Sequence, residues 1–250
     1  MVTILSPAKS ISTETTRKPK GSNLIFPDEV QMIDSVLKKK SKNVLAKMHS
    51  VSNAIAEENY LRNQERDFED VGQALPAAFA FNGEVYRGLN AENWSKDDMA
   101  YAEDHLRIIS GMYGILKPQD PLWPYRLEMG TKISVARKPN LYKFWGNKLS
   151  DYFNELNQPI LNLASVEYSK AVQTKDLKIP VIQVDFKDQK KETFKVVQFW
   201  AKQARGVMAH WMIKNRVTTI EDCMKFGEND YYLAESESSE NHLIFHRNER

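Results

Sequence analysis

The sequence predicts an α+β protein, a single domain over residues 1–250 built of mixed helices and mostly antiparallel strands. Three observations lead there. Helical periodicity runs from Asp28 to about Arg66 and returns at 96–109. The C-terminal third instead carries β-like runs, 180-PVIQVDF-186 and 193-TFKVVQFW-200, around the charged turn KDQKKE, which reads as a hairpin. No internal repeat and no long Gly/Ser/Pro linker divides the chain.

Taken in order, residues 2–5 (VTIL) form a short buried strand leading into SPAKS. The polar, basic stretch 10–23 is expected to be a surface loop. In the first helical block Val30, Ile33 and Leu37, then Val44, Leu45 and Met48, recur at three- and four-residue steps. A further helix over roughly 51–65 is expected to turn Ile55 and Leu61 inward. For 96–109, Ser95 and Asp98 make a capping box, and Met99, Ala102, Leu106 and Ile109 a stripe that Gly111 ends. An amphipathic helix follows at 145–156, then a strand in 159-PILNLA-164. A helix over 201–216 puts Ala201, Ala204, Met208 and Trp211 on one side, and two last strands near 230–234 and 242–246 enclose the acidic loop ESESSEN.

Composition excludes several classes. At 42% hydrophobic and 27% charged the chain is an ordinary globular one, with no apolar run approaching a membrane span and no signal-peptide pattern at its start. The lone Cys223 allows no internal disulfide framework and points to a reducing cytoplasm. With a net charge of +2, any nucleic-acid role must rest on a local basic patch.

Familiar catalytic signatures are missing: no G-x-S-x-G, P-loop, dinucleotide glycine pattern or H-E-x-x-H occurs. His242 and His246 share a strand face without further ligands at metal-like spacing, so neither metal nor cofactor is expected. Glu221 and Asp222 raise the Cys223 thiol and argue against a nucleophile. More informative is 107-RIISGMYGILKP-118. It reads either as a helix-hairpin-helix-like element, whose turn N–H groups hold a phosphate, or as a plain helix cap followed by a proline turn. On the 201–216 helix, Lys202 and Arg205 share a face, and Gly206 marks either a helix crossing or the close approach of a ligand. At Ser165 a strand passes into a helix with Glu167 in its first turn, and Lys9 follows a buried strand end, pointing into a cleft or into water. The run 38-KKKSK-42 reads as a solvated helix end. In 124-PYRLEMG-130 an extended backbone puts Arg126 and Glu128 on one face.

These residues fall in words that closely resemble the YaaA family of bacterial cytoplasmic peroxide-stress proteins. The words are SPAK at 6–9, FNGEVYRGL at 81–89, HLRIISGMYGILKPQD at 105–120, PYRLEMG at 124–130, LYKFWG at 141–146, NLAS-x-EY-x-K at 162–170 and AKQARG at 201–206. The resemblance implies an α+β domain of the kind called the cantaloupe fold, with a helix-hairpin-helix element beside a basic cleft. It further implies binding of duplex DNA largely without sequence specificity and a part in limiting iron-dependent oxidative damage. On that reading the DNA-binding residues are Arg107, Gly111, Tyr113, Gly114 and Lys117 of the hairpin, with Lys9, Arg126, Lys202 and Arg205 in the cleft.

The alternative is an enzyme of unassigned reaction whose basic cleft holds a small anion or a nucleotide. Glu128, Glu167 and Lys9 would then carry the chemistry, either carboxylate acting as general acid or base. Glu128 separates the two readings, because a phosphate-gripping groove has little use for a carboxylate except to orient an arginine. Direct iron chelation lacks a clustered ligand set.

Overall fold

The computed structural model describes residues 1–12, 15–20 and 23–249. Expectations for 13, 14, 21 and 22 within the 10–23 loop lie outside the described residues.

In chain order the first elements are strands β1 (Val2–Leu5) and β2 (Ser10–Ile11), then helices α1 (Pro27–Lys38), α2 (Lys42–His49) and α3 (Asn53–Glu65). Next come β3 (Leu75–Pro76), α4 (Ala77–Ala80), β4 (Phe81–Asn82), α5 (Glu84–Leu89), α6 (Lys96–His105), β5 (Leu106–Ser110), β6 (Gly114–Leu116) and β7 (Pro121–Leu122). The second half contains α7 (Leu141–Trp145), α8 (Lys148–Leu156), β8 (Ile160–Asn162), α9 (Val166–Val172), β9 (Val181–Lys190) and β10 (Thr193–Lys195). It closes with α10 (Gln198–Asn215), α11 (Ile220–Cys223), β11 (Tyr232–Leu233) and β12 (His242–Arg247).

The central sheet corrects the expected antiparallel arrangement. Its strand order is β11-β12-β9-β8-β1-β5-β6, with β10 on β9. The five inner strands from β12 to β5 pair in parallel, and only the edge pairs β11/β12, β10/β9 and β5/β6 are antiparallel. This is an α/β protein with a mostly parallel sheet. Parallel neighbours need long crossovers, and here helical blocks separate β1 from β5 and β8 from β9. β1, β5 and β8 are buried at every position, as central parallel strands are, so they carry no alternating pattern.

A second correction concerns 106–118. The capping box of Ser95 and Asp98 forms as expected, but α6 ends at His105. Leu106 and Ile109 belong to β5, and the glycines lie in a β-hairpin that replaces the expected helix-hairpin-helix. Its turn is internally satisfied: the Met112 and Tyr113 N–H groups both donate to Ser110 Oγ, at 3.2 and 3.0 Å. A Cβ on Gly111 would sit 2.8 Å from the Leu127 carbonyl oxygen, so the turn is packed against the extended 124–130 segment.

Smaller differences have simple causes. Residues 10–11 pair with β4 instead of lying in a loop. The strand expected at 193–200 stops at Lys195 and gives way to α10, while β9 runs on through Lys190. On α3 it is Ile55 and Leu61 that face solvent, and Ala56, Asn59 and Asn63 that face inward. That face is polar because it surrounds buried Arg66, which pairs with Asp34 of α1 and donates to Asn63 Oδ1 at 3.0 Å and the Pro124 carbonyl at 2.9 Å. One arginine thus fixes the helical layer to the start of PYRLEMG.

Helices α6 and α10 pack on β1 and its neighbours, while α9, backed by α8, packs on β5. The tightest crossing joins α5 and α10. A Cβ on Gly206 would fall 1.8 Å from the Val85 carbonyl oxygen, and one on Gly88 2.3 Å from that of Gln203. Of the two readings of Gly206, the structure selects the helix crossing. Among the described residues no helix is long and apolar enough to cross a membrane.

Gly206→Ala tests this crossing. In an open helix the change stabilises by about 1 kcal/mol. Here it forces two backbones apart, and we expect a net destabilisation of about 3 kcal/mol, seen as a lower urea midpoint.

Candidate functional site

A cavity of about 360 Å³ opens where β1 and β8 end. Four segments line it: Ser6–Ser10 after β1, Asn82–Tyr86 at the start of α5, Leu163–Tyr168 after β8, and Lys202 and Arg205 of α10. The topology explains the place. From β1 the chain crosses to β5 on one side, whereas from β8 it crosses to β9 on the other, so the two carboxyl ends diverge. In parallel sheets such a switch point leaves a crevice and is the usual position of a ligand.

The crevice is laced by short polar contacts. The Ser165 N–H donates to Ser6 Oγ at 2.8 Å, and the Tyr86 hydroxyl donates to the Ser6 carbonyl at 2.9 Å. Burial pushes the Tyr86 and Tyr168 phenols well above their ordinary range, so both stay protonated. Glu167 has one oxygen, Oε1, held by the Gly130 N–H at 2.8 Å.

The 124–130 segment forms the neighbouring wall. Its burial alternates, with Tyr125, Leu127 and Met129 inward and Arg126 and Glu128 together on the other face, as extended geometry requires. A hydrogen bond from the Glu128 N–H to Thr131 Oγ1 fixes the end of the segment. Glu128 receives Lys9 Nζ at 2.9 Å and Arg126 at 3.7 Å.

The cations divide into two sets. Lys9 and Arg126 share Glu128, while Lys202 and Arg205 form no ion pair among the described residues. Arg205 is largely buried, its Nε has no hydrogen-bond partner, and desolvation lowers its guanidinium below the ordinary value although Asp185 pulls the other way. Glu84, also on the lining, is taken by Arg87 at 2.5 Å.

The chain matches the family description "Peroxide stress protein YaaA" over residues 1–237. It belongs to the YaaA family. A UPF0246 protein of Legionella pneumophila (strain Lens) is 38% identical over 255 residues, covering 99% of each chain. Another, from Aliivibrio fischeri (strain MJ11), is 38% identical over 258 residues, 100% of this chain and 99% of its own.

Within this YaaA-family fold the sequence-predicted residues separate cleanly. Lys9, Glu167, Lys202 and Arg205 line the cavity, with Arg126 and Glu128 joined to it through Lys9. The hairpin residues are elsewhere. Arg107 is buried, donating to the Tyr152 hydroxyl at 2.7 Å and to the Glu103 and Leu106 carbonyls. Tyr113 is buried and donates to the Trp123 carbonyl, while Gly114 packs on Trp145 and Phe26. Lys117 follows β6, its N–H held by Asp120. Burial, with the negative charge of Asp222, pushes the Cys223 thiol up to about 12, in line with an inert cysteine.

Sequence reasoning missed Ser6, Tyr86, Tyr168 and His49. The first three sit inside SPAK, FNGEVYRGL and NLAS-x-EY-x-K, so the words were visible but not the roles. His49 offered no local signal. It is only 9% exposed, neither ring nitrogen has a hydrogen-bond partner, and it feels the charges of Arg126, Glu128 and Lys9.

Burial, then the positive charge of Arg126, lowers His49 from 6.5 to about 4. A base depressed in the fold takes up its proton later than in the unfolded chain. Stability is therefore whole above about pH 6.5 and declines as pH falls from there towards 4. Urea midpoints at pH 7.5, 6 and 5 should fall for the wild type and fall less steeply for His49→Gln.

Proposed function

We propose that this YaaA-family protein binds an anionic small molecule, of nucleotide size or below, in the crevice between β1 and β8. The observation that carries the reading is the pair Lys202 and Arg205, an exposed lysine and a largely buried arginine on the cavity lining that form no ion pair among the described residues. A largely buried arginine in no ion pair, with Asp185 offsetting its desolvation only in part, is costly unless an anion completes it. The volume of about 360 Å³ suits a nucleotide or a smaller phosphorylated metabolite. In this reading Glu167 is the carboxylate best placed for proton transfer, because it lines the cavity and its second oxygen has no hydrogen-bond partner among the described residues. Glu128 orients Lys9 and Arg126.

Isothermal titration with AMP, ADP and inorganic pyrophosphate tests the reading. Removing a charge-assisted contact costs about 1.5–3 kcal/mol, so Arg205→Ala should weaken binding about tenfold to a hundredfold. No binding of any of the three by the wild type, or unchanged binding by Lys202→Ala/Arg205→Ala, overturns it.

Contact with duplex DNA is the second reading, and one feature favours it. Lys9 and Lys202 stand exposed at the rim of the cavity, and Phe199 and Trp200 lie exposed on the preceding turn of α10. Phosphates would meet the lysines without base readout, in keeping with a part in protecting DNA from iron-dependent oxidative damage. A labelled duplex titrated at several salt concentrations should bind with a steep salt slope that Lys9→Ala/Lys202→Ala reduces by about two. A flat salt response rules this second reading out.

A further inference from the structure

Three buried polar atoms have no hydrogen-bond partner, Arg126 Nε and both ring nitrogens of His49; Arg126 is joined to Lys9 of the cavity lining through Glu128, and His49 feels the charges of all three. Buried polar groups are nearly always paired, so three such atoms together mark a place built for another partner. All three atoms are nitrogens. The Arg126 Nε–H donates, and the imidazole donates from one nitrogen when neutral and from both when protonated. A donor-rich set beside Lys9 suits an oxyanion.

We propose that the Arg126–His49 cluster next to Lys9 is a second anion subsite of the crevice, taking a phosphate- or sulfate-like group, and that His49 takes up a proton when that group binds. The proposal rests on the anion reading above and adds to it a compartment and a coupled proton.

The charges that face His49 fix the direction of coupling. Arg126 and Glu128 come from the extended 124–130 segment and Lys9 from the turn after β1. On the packed helix α3, Glu57 is held by Lys42 and Glu58 by Arg62, and on α2 itself Lys47 is exposed. Two of the facing cations oppose a proton on His49, and only Glu128 favours it. A bound oxyanion offsets those cations and accepts a hydrogen bond from the imidazolium. Both effects raise the affinity of His49 for a proton, and by linkage a protonated His49 raises the affinity for the anion.

Sulfate is the probe, because its charge is constant between pH 5.5 and 8, unlike that of phosphate. At constant ionic strength we expect wild-type sulfate affinity to rise about tenfold from pH 8 to 5.5, the change that follows when binding lifts His49 from about 4 back to its ordinary value of about 6.5. His49→Gln should bind with little pH dependence. In the wild type, the NMR titration midpoint of the His49 ring should move upward on addition of sulfate, a readout independent of whether the variant folds. Sulfate binding with equal affinity at both pH values, an unmoved His49 midpoint, or a variant that keeps the full pH dependence overturns this subsite while leaving the Lys202/Arg205 reading standing. Failure of the wild type to bind sulfate, AMP or pyrophosphate overturns both.

Discussion

The crevice depends on the contact between Gly88 and Gly206. These residues bring α5 and α10 so close that the carbonyls of Val85 and Gln203 occupy the space a side chain would need. α5 supplies the Glu84–Tyr86 edge of the cavity and α10 supplies Lys202 and Arg205, so a wider crossing would move the two walls apart. Closeness also buries Arg205 in a setting where its charge is poorly screened. Packing thus sets the electrostatics: the same contact that closes the cavity makes its positive wall strong.

A second constraint acts through Arg66. Its guanidinium joins Asp34 of α1 to the Pro124 carbonyl, so the three N-terminal helices fix the start of the segment that presents Arg126 and Glu128. The far end is fixed by Thr131 and by the bond from Gly130 to Glu167. Held at both ends, an extended chain must show alternate residues to opposite sides. Tyr125 then goes inward to meet Ser110 at 2.7 Å, and Glu128 goes outward to Lys9. The buried hairpin supports the site from behind: its turn donates to its own Ser110 and packs against Leu127.

How much of this was legible depends on the range of the forces involved. The capping box at Ser95, the helices of the first block, the junction at Ser165 and the shared face of Arg126 and Glu128 follow from spacing within a few residues, and they were readable. Strand direction was not, because β1, β5 and β8 are short, uniformly buried runs whose pairing is fixed by helical crossovers elsewhere in the chain. The sequence 106-LRIIS continued the periodicity of α6 well enough to pass for its last turns, although it follows that helix directly as a strand. On α3 the apolar residues misled because the inward face had been specialised to hold an arginine. His49 belongs to the same class, since its neighbours lie on distant segments.

The balance of charge around the crevice gives the functional argument its direction. Four cations, Lys9, Arg126, Lys202 and Arg205, meet two carboxylates, Glu128 and Glu167, once Glu84 is assigned to Arg87, with Asp185 also acting on Arg205. Glu128 holds two of the cations in place without cancelling both, while one oxygen of Glu167 is engaged by a neutral N–H. A solvated basic face would bring its cations to water, where they need no partner. Here Arg205 is largely buried and Arg126 is mostly covered, and each keeps a buried nitrogen without a hydrogen-bond partner. Burying donors in that state is unfavourable in the free protein, and on the proposed anion reading a molecule that brings negative charge and acceptor oxygens together recovers the cost. For that reason a carboxylate in PYRLEMG fits an anion site better than it fits an open phosphate groove. Glu128 positions the donors, and on the proposed reading the excess positive charge is left for an anion.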